Sequence, residues 1–314
     1  MGEYSKEIGE RGEDIVEYLF KELLGYPHYR SNISIPCSYG SEHSPIKDKI
    51  KTTHGVDGLV SYTTPLENTC LEIGVISVKY TKDKYPNAPR TKFKNYFEDL
   101  AWTQQCFALT DIKSEIESKS VNVDDTIITG VLFWLSDNED SKDKDLLHDI
   151  AKSQFAGDGL KFDKIIFVDN SRMSFIYGVL QKFKDKYGPS NIDFIYPKTG
   201  RNLYPEHNEN FGKQFPMDFF SYDILPLRIV DENKRISLFL ICRKPYDKNE
   251  LVQIVGLAKS FNQLEATSET VIGFPDYNKI DNSDEINSVL MGLADSSFYS
   301  QIKVINYNTD FRNI

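Results

Sequence analysis

Three short stretches bring together residue types that can do chemistry as a set: Gly9-Glu-Arg-Gly-Glu13, His54-Gly-Val-Asp57 and Val75-Ile-Ser77-Val-Lys79. Side chains alternate faces along a strand, so Ser77 and Lys79 share a face with Val75 while Glu72 turns to the other. An aspartate on the neighbouring strand of a hairpin can face that lysine. Such a site suits hydrolysis of a phosphodiester. A carboxylate and backbone carbonyls hold Mg²⁺ or Mn²⁺, hard cations that take oxygen ligands. The metal lowers the pKa of a bound water and neutralises charge at the phosphorus-bound oxygens, while a lysine orients the water and stabilises the anionic transition state.

The elements that must position these residues follow from periodicity. Residues 6–24 carry Ile15, Val16, Leu19, Phe20, Leu23 and Leu24 at helical spacing, stopped by Gly25. Glu13 stands at the edge of that apolar stripe. A short strand over 32–37 precedes two clearer ones at 56–62 and 70–80, followed by a helix over 91–109 with Phe93, Tyr96, Phe97, Leu100 and Ala101 on one face. Thr126 to Leu135 is apolar on both parities and reads as a strand covered on both sides. A helix at 144–154, a strand at 164–169, a helix at 172–187 and a strand at 192–196 complete a first domain, 1–196. The pattern predicts an α/β fold with a mixed sheet.

Residues 197–218, rich in Pro, Gly and Asn, read as a linker. A second α/β domain, 219–314, has strands at 222–230 and 236–243, a helix to Phe261 opened by Asp247 and Glu250, a strand at 270–274, a helix at 284–294 and a strand at 302–307. Its order repeats that of the first half. Asp223 and Lys244 occupy the hairpin positions of Asp57 and Lys79, with Cys242 where Ser77 stands. No helix acid precedes them, so the second half is expected to be a degenerate, catalytically silent copy.

A length of 314 residues accommodates about two domains. Four widely separated cysteines exclude a disulfide scaffold or a zinc site built on close Cys spacing, and they fit a reducing cytoplasm. His54 reads as a turn residue, and His28, His43, His148 and His207 show no metal-ligand spacing. No apolar run is long enough to cross a bilayer and no signal-peptide pattern opens the chain, so a membrane role is not expected. No Walker A loop, GxSxG elbow or HExxH helix is present. The net charge of −10 makes the whole chain a poor non-specific binder of nucleic acid, so such binding needs a local basic patch or a basic partner. One exists: Lys79 to Lys94 holds Lys82, Lys84, Arg90, Lys92 and Lys94 against the single acid Asp83, and Lys47, Lys49 and Lys51 lead into the Asp57 strand.

The GxxGE pattern ending at Glu13, with Asp57 and Lys79, resembles the PD-(D/E)xK nuclease superfamily of restriction endonucleases, Mrr-type enzymes and Holliday-junction resolvases. The resemblance implies an αβββαβ restriction-endonuclease-like core over about the first 140 residues. It also implies a Mg²⁺-dependent DNA nuclease with Asp57 as the motif aspartate and Lys79 as the motif lysine. By analogy it points to antiphage defence. One position departs: Ser77 stands where the family has Glu or Asp, which removes a negative charge from the metal site. Some relatives with serine there supply the acid from the following helix, but Glu98 and Asp99 fall off its apolar face, so Glu13 is the expected second acid. Gln104, which continues that face, resembles the site glutamine of some relatives. The expected catalytic set is therefore Glu13, Asp57, Ser77, Lys79 and Gln104, with Glu13 and Asp57 on the metal.

Structural readings stand beside these. Glu10, Glu13 and Glu17 also suit a solvated helix face, Asp57 before Gly58 a turn, Lys79 a strand-end charge, Gln104 a buried amide satisfied by backbone, and the basic run a soluble loop. The alternative function is accordingly an inactive nuclease-fold subunit that scaffolds a complex or binds nucleic acid. Either reading expects a partner subunit or a homo-oligomer.

Overall fold

The computed structural model describes residues 3–46, 48–153, 159–202, 210–262, 267–292 and 301–308. Two compact units divide the chain: Met1–Tyr177 with Pro216–Ser221, and Gly178–Phe215 with Tyr222–Ile314.

The first unit begins with α1 (Glu3–Tyr18), which continues through one wider turn, Leu19–Leu23. Then come β1 (Arg30–Pro36), β2 (Thr53–Thr63), β3 (Cys70–Thr81), α2 (Arg90–Phe107), α3 (Asp111–Lys119), β4 (Asp125–Ser136), the single turn α4 (Leu147–Ile150) and β5 (Lys164–Val168). The chain goes on through α5 (Asn170–Tyr187), whose residues divide between the two units. The five strands lie in sequence order, β1–β2–β3 antiparallel and β3–β4–β5 parallel. This is the αβββαβ order expected of the sequence, and the short strand at 32–37 is real as β1.

Two elements differ from expectation. The helix expected over 144–154 is only α4 within the described residues, because Leu146 and Ile150 alone anchor it to the core. The helix α3 carried no signal because none of its side chains is buried; Thr110 caps it by accepting from the Lys113 N–H.

Both faces of the sheet are covered, which is why β3 and β4 are apolar on both parities. Phe93, Leu100 and Phe107 of α2 pack on Ile73, Val75, Leu132 and Trp134. On the other face α1 and the turn after it bring Phe20 against Phe133 and Phe220. Phe220 belongs to the short helical turn Met217–Ser221, which returns from far along the chain to close this side of the first unit.

The closeness of α1 to β3 explains one glycine of the GxxGE pattern. A Cβ at Gly12 would overlap Tyr80 Cβ and come 2.9 Å from its Cγ. Alanine is the better helix former by about 1 kcal/mol, yet Gly12→Ala is expected to destabilise the protein by roughly 1–3 kcal/mol, because the overlap wins. A denaturant midpoint equal to or above the parent's would contradict this.

The same face buries a polar network. Glu72 is 2% exposed and accepts from Thr129 Oγ1 at 2.6 Å and from the Tyr62 hydroxyl. Its charge is balanced by Lys164 Nζ at 3.0 Å, which also meets Asp218 at 2.9 Å. Burial alone would depress the Lys164 ammonium, but Glu72 and Asp218 outweigh it and hold its pKa above the usual value.

The second unit contains β6 (Ile192–Ile195), β7 (Phe211–Gly212), β8 (Ile224–Val230), β9 (Ile236–Cys242), α6 (Lys248–Asn262), β10 (Glu269–Phe274), α7 (Lys279–Met291) and β11 (Ile302–Asn306). Its sheet runs β11–β10–β9–β8–β6–β7. The pairs β6–β8 and β8–β9 are antiparallel, while β9–β10 and β10–β11 are parallel. That repeats the β1-to-β5 pattern strand for strand, with α6 in the place of α2. The strand β6 pairs within this second sheet, and Pro216–Ser221 packs within the first unit; composition carries no sign of either assignment.

Candidate active site

The antiparallel register sets Gly58 against Ile76, which puts Asp57 across from Ser77. A Ser77 hydrogen bond reaches the Asp57 carboxylate. Asp57 lies within β2 rather than in a turn, and its Oδ2 accepts from the Val78 N–H at 2.6 Å. Burial raises the Asp57 pKa above the ordinary carboxylate value. The Val78 N–H, the Lys79 charge and a Ser77 hydrogen bond pull it down, the Asp99 charge pushes it up, and the net shift is upward.

Lys79 sits two residues past Ser77, with its ammonium 5.8 Å from the centre of the Tyr96 ring and 3.9 Å from Asp99 Oδ2. Asp99 Oδ1 in turn meets Lys51 Nζ at 2.6 Å. Asp99 misses the apolar stripe of α2, as its spacing implied, yet it stands beside Lys79. Tyr96, Asp99 and Thr103 form a second, polar stripe on the flank of the helix, turned toward β2 and β3. Lys51 belongs to this cluster through Asp99, although it was expected among the nucleic-acid contacts.

Glu13 approaches from α1. Burial raises its pKa first, followed by the charges of Asp57, Glu10 and Asp14, against a hydrogen bond from Asn32. Asn32 was missed by sequence reasoning. It lies between the Ser31–Gly58 and Ile33–Val56 pairs, and so beside Asp57, with a φ of +54°. Asn tolerates this left-handed conformation better than most side chains, and non-glycine residues held there concentrate at functional sites.

Gln104 is not part of the cluster. Its Nε2 donates to the Lys164 carbonyl at 3.0 Å and the Ile128 carbonyl at 3.4 Å, at the opposite end of the sheet. The residue continues the buried face of α2, as its spacing implied, but its amide serves the core.

Of the expected basic patch, Lys49, Lys82, Lys84, Arg90 and Lys92 are exposed and Lys94 half-buried; Lys47 lies outside the described residues. Arg90 Nε reaches the Asp149 carbonyl at 2.7 Å. Arg90, Lys92 and Lys94 crowd the first turns of α2, which has no acid in its first turn. Cations there oppose the helix macrodipole, so they cost helix stability, and together with the dipole they make a strongly positive surface.

The equivalent hairpin of the second unit differs. Asp223 is clamped by Arg243 Nη2 and by Lys244 Nζ, each at 2.9 Å. Burial would raise its pKa, but these two cations outweigh it and hold the carboxyl below its usual value.

Residues 1–172 match the family model described as the GAPS4 protein PD-(D/E)XK nuclease domain. No curated protein and no solved structure matches the chain.

Proposed function

Because the chain belongs to the GAPS4 PD-(D/E)XK nuclease-domain family, we propose that it is a divalent-metal-dependent DNA nuclease acting in antiviral defence. One observation supports this reading: the Lys79 charge acts on Asp57, and the Asp99 carboxylate of α2 lies 3.9 Å from Lys79 where Ser77 offers none. The donor set fits a hard cation. Its carboxylate side chains are oxygen donors, and the Asp57 and Glu13 charges act on one another. Asp57, with Glu13 or Asp99, would hold Mg²⁺ or Mn²⁺, which supplies charge neutralisation at phosphorus and an acidified water. The Val78 N–H fixes the Asp57 carboxylate, and Lys79 stands where it can hold the attacking water and balance charge in the transition state. Tyr96 and Asp99 restrict the lysine's rotamers. The positive start of α2 and the exposed Lys49, Lys82, Lys84 and Lys92 suit a phosphate backbone.

The purified chain should cut DNA with Mg²⁺ or Mn²⁺, stop in EDTA and resume when metal is returned. Asp99→Asn should raise the Mg²⁺ concentration for half-maximal cutting by about tenfold or more. Equal cleavage in EDTA, or intact DNA with every divalent cation tried, would overturn the proposal. The latter result would favour the inactive scaffold that Ser77 on its own suggests.

A further inference from the structure

We propose that Cys37, His43, His54 and Cys106 form a structural zinc site. The four residues come from the end of β1, the loop after it, β2 and the last turn of α2. Each offers one ligand atom, and all four atoms lie within 4.8 Å of one another. His43, His54 and Cys106 are buried, and Cys37 is half-buried.

Four of the six ligand–ligand spacings match a tetrahedron, and the two between His54 and the sulfurs are within 4.8 Å. Zinc–sulfur bonds of about 2.3 Å and zinc–nitrogen bonds of about 2.0–2.1 Å require edges of roughly 3.8 Å between sulfurs, 3.5 Å between sulfur and nitrogen, and 3.3 Å between nitrogens. The two sulfurs are 4.0 Å apart. His43 Nδ1 lies 3.7 Å from Cys37 Sγ and 3.4 Å from Cys106 Sγ. The two imidazole nitrogens, His43 Nδ1 and His54 Nε2, are separated by 3.4 Å. Two thiols and two imidazoles are soft and borderline donors that suit zinc and not magnesium, so this centre is chemically distinct from the carboxylate site.

The surroundings orient the ligands. Thr103 Oγ1 donates its proton to the Asp99 carbonyl at 2.7 Å, so at 3.3 Å it can only accept from His54 Nδ1. That fixes the tautomer in which His54 Nε2 presents a lone pair to the cluster. His43 is stacked between Tyr39, at 4.6 Å, and Trp102, at 5.5 Å. The Ser38 N–H points at Cys106 Sγ from 3.4 Å, a bond that favours thiolate. Both rings are buried, and the neutral imidazole is the form that binds metal. The structure therefore corrects two sequence readings. His54 is a buried strand residue rather than a turn, and histidines without local ligand spacing are gathered by the fold. The zinc would pin α2, which carries Asp99, to β2, which carries Asp57.

Metal analysis of the full chain, purified without chelator, tests this independently of any cleavage. About one zinc per chain should survive gel filtration, and Cys106→Ser or His54→Ala should reduce it at least about tenfold. Ligand variants can fail to fold, so a second measurement uses the parent chain. Cobalt exchanged for zinc should give the intense visible bands of a tetrahedral ion and a thiolate charge-transfer band. Thr103→Val, which leaves all four ligands in place, should weaken zinc binding about 10–100-fold in competition with a chelator; an unchanged affinity would remove the orienting role of Thr103. A folded chain without zinc and without cobalt bands, or a Cys37–Cys106 disulfide found by mass spectrometry, would overturn the site.

Discussion

Asp57→Asn is expected to abolish metal-dependent cleavage, with a loss of at least about 10²–10³-fold, while making the metal-free protein more stable. The loss follows from removing the charge that a divalent cation would meet, at a preorganised position where a single group contributes on that scale. The gain in stability follows from linkage. Burial raises the folded-state pKa of Asp57 above its unfolded value. As pH rises past the unfolded value the unfolded chain releases its proton first, and stability falls until the folded pKa is passed. At neutral pH the ionised carboxylate therefore costs stability. Asparagine removes that cost and keeps an oxygen for the Val78 N–H. Lys79→Met should lose activity on the same scale. Thermal melting in EDTA alongside a cleavage assay would check both arms. Retained cleavage in either variant removes the proposed mechanism, and a lower melting temperature for Asp57→Asn contradicts the charge balance described for the site.

The second large effect is structural. Lys164→Ala leaves Glu72 buried with its hydroxyl partners but without its cation, and Asp218 without its partner lysine. Removing one member of a buried ion pair costs about 3–5 kcal/mol. Lys164 is itself 32% exposed, and the lower end of that range is expected here because water can partly replace it. Lys164→Met combined with Glu72→Gln should recover much of the loss, since the fully buried position is then neutral and the only charge left is on the partly exposed Asp218. Urea midpoints for the single and double variants measure this. A Lys164→Ala variant within about 0.5 kcal/mol of the parent would mean that the network is solvated rather than buried.

Strand order and the pairing of Asp57 with Ser77 and Lys79 were legible because they depend on local alternation and short connections. A hairpin brings residues together through the register of neighbouring strands, and sequence carries that register. Asp99 was not legible, because helical periodicity identifies the face turned to the sheet and says little about which flank overlooks a strand end. Its signal was the spacing shared with Tyr96 and Thr103. Gln104 shows the converse: its burial followed from periodicity, while its hydrogen-bond partners depended on where β4 and β5 run. Asn32 and the Cys37–His43–His54–Cys106 cluster depend on contacts between separate elements, and no spacing rule reaches that far.

The return of Met217–Ser221 to the first unit has a bearing on biosynthesis. Phe220 sits against Phe20 and Phe133, and Asp218 shares Lys164 with Glu72. A nascent chain still attached to the ribosome at residue 200 lacks those side chains, however completely the strands before them have been translated. The unit bearing the carboxylate cluster therefore finishes its packing only after residue 221 has emerged, well after its own five strands have been made.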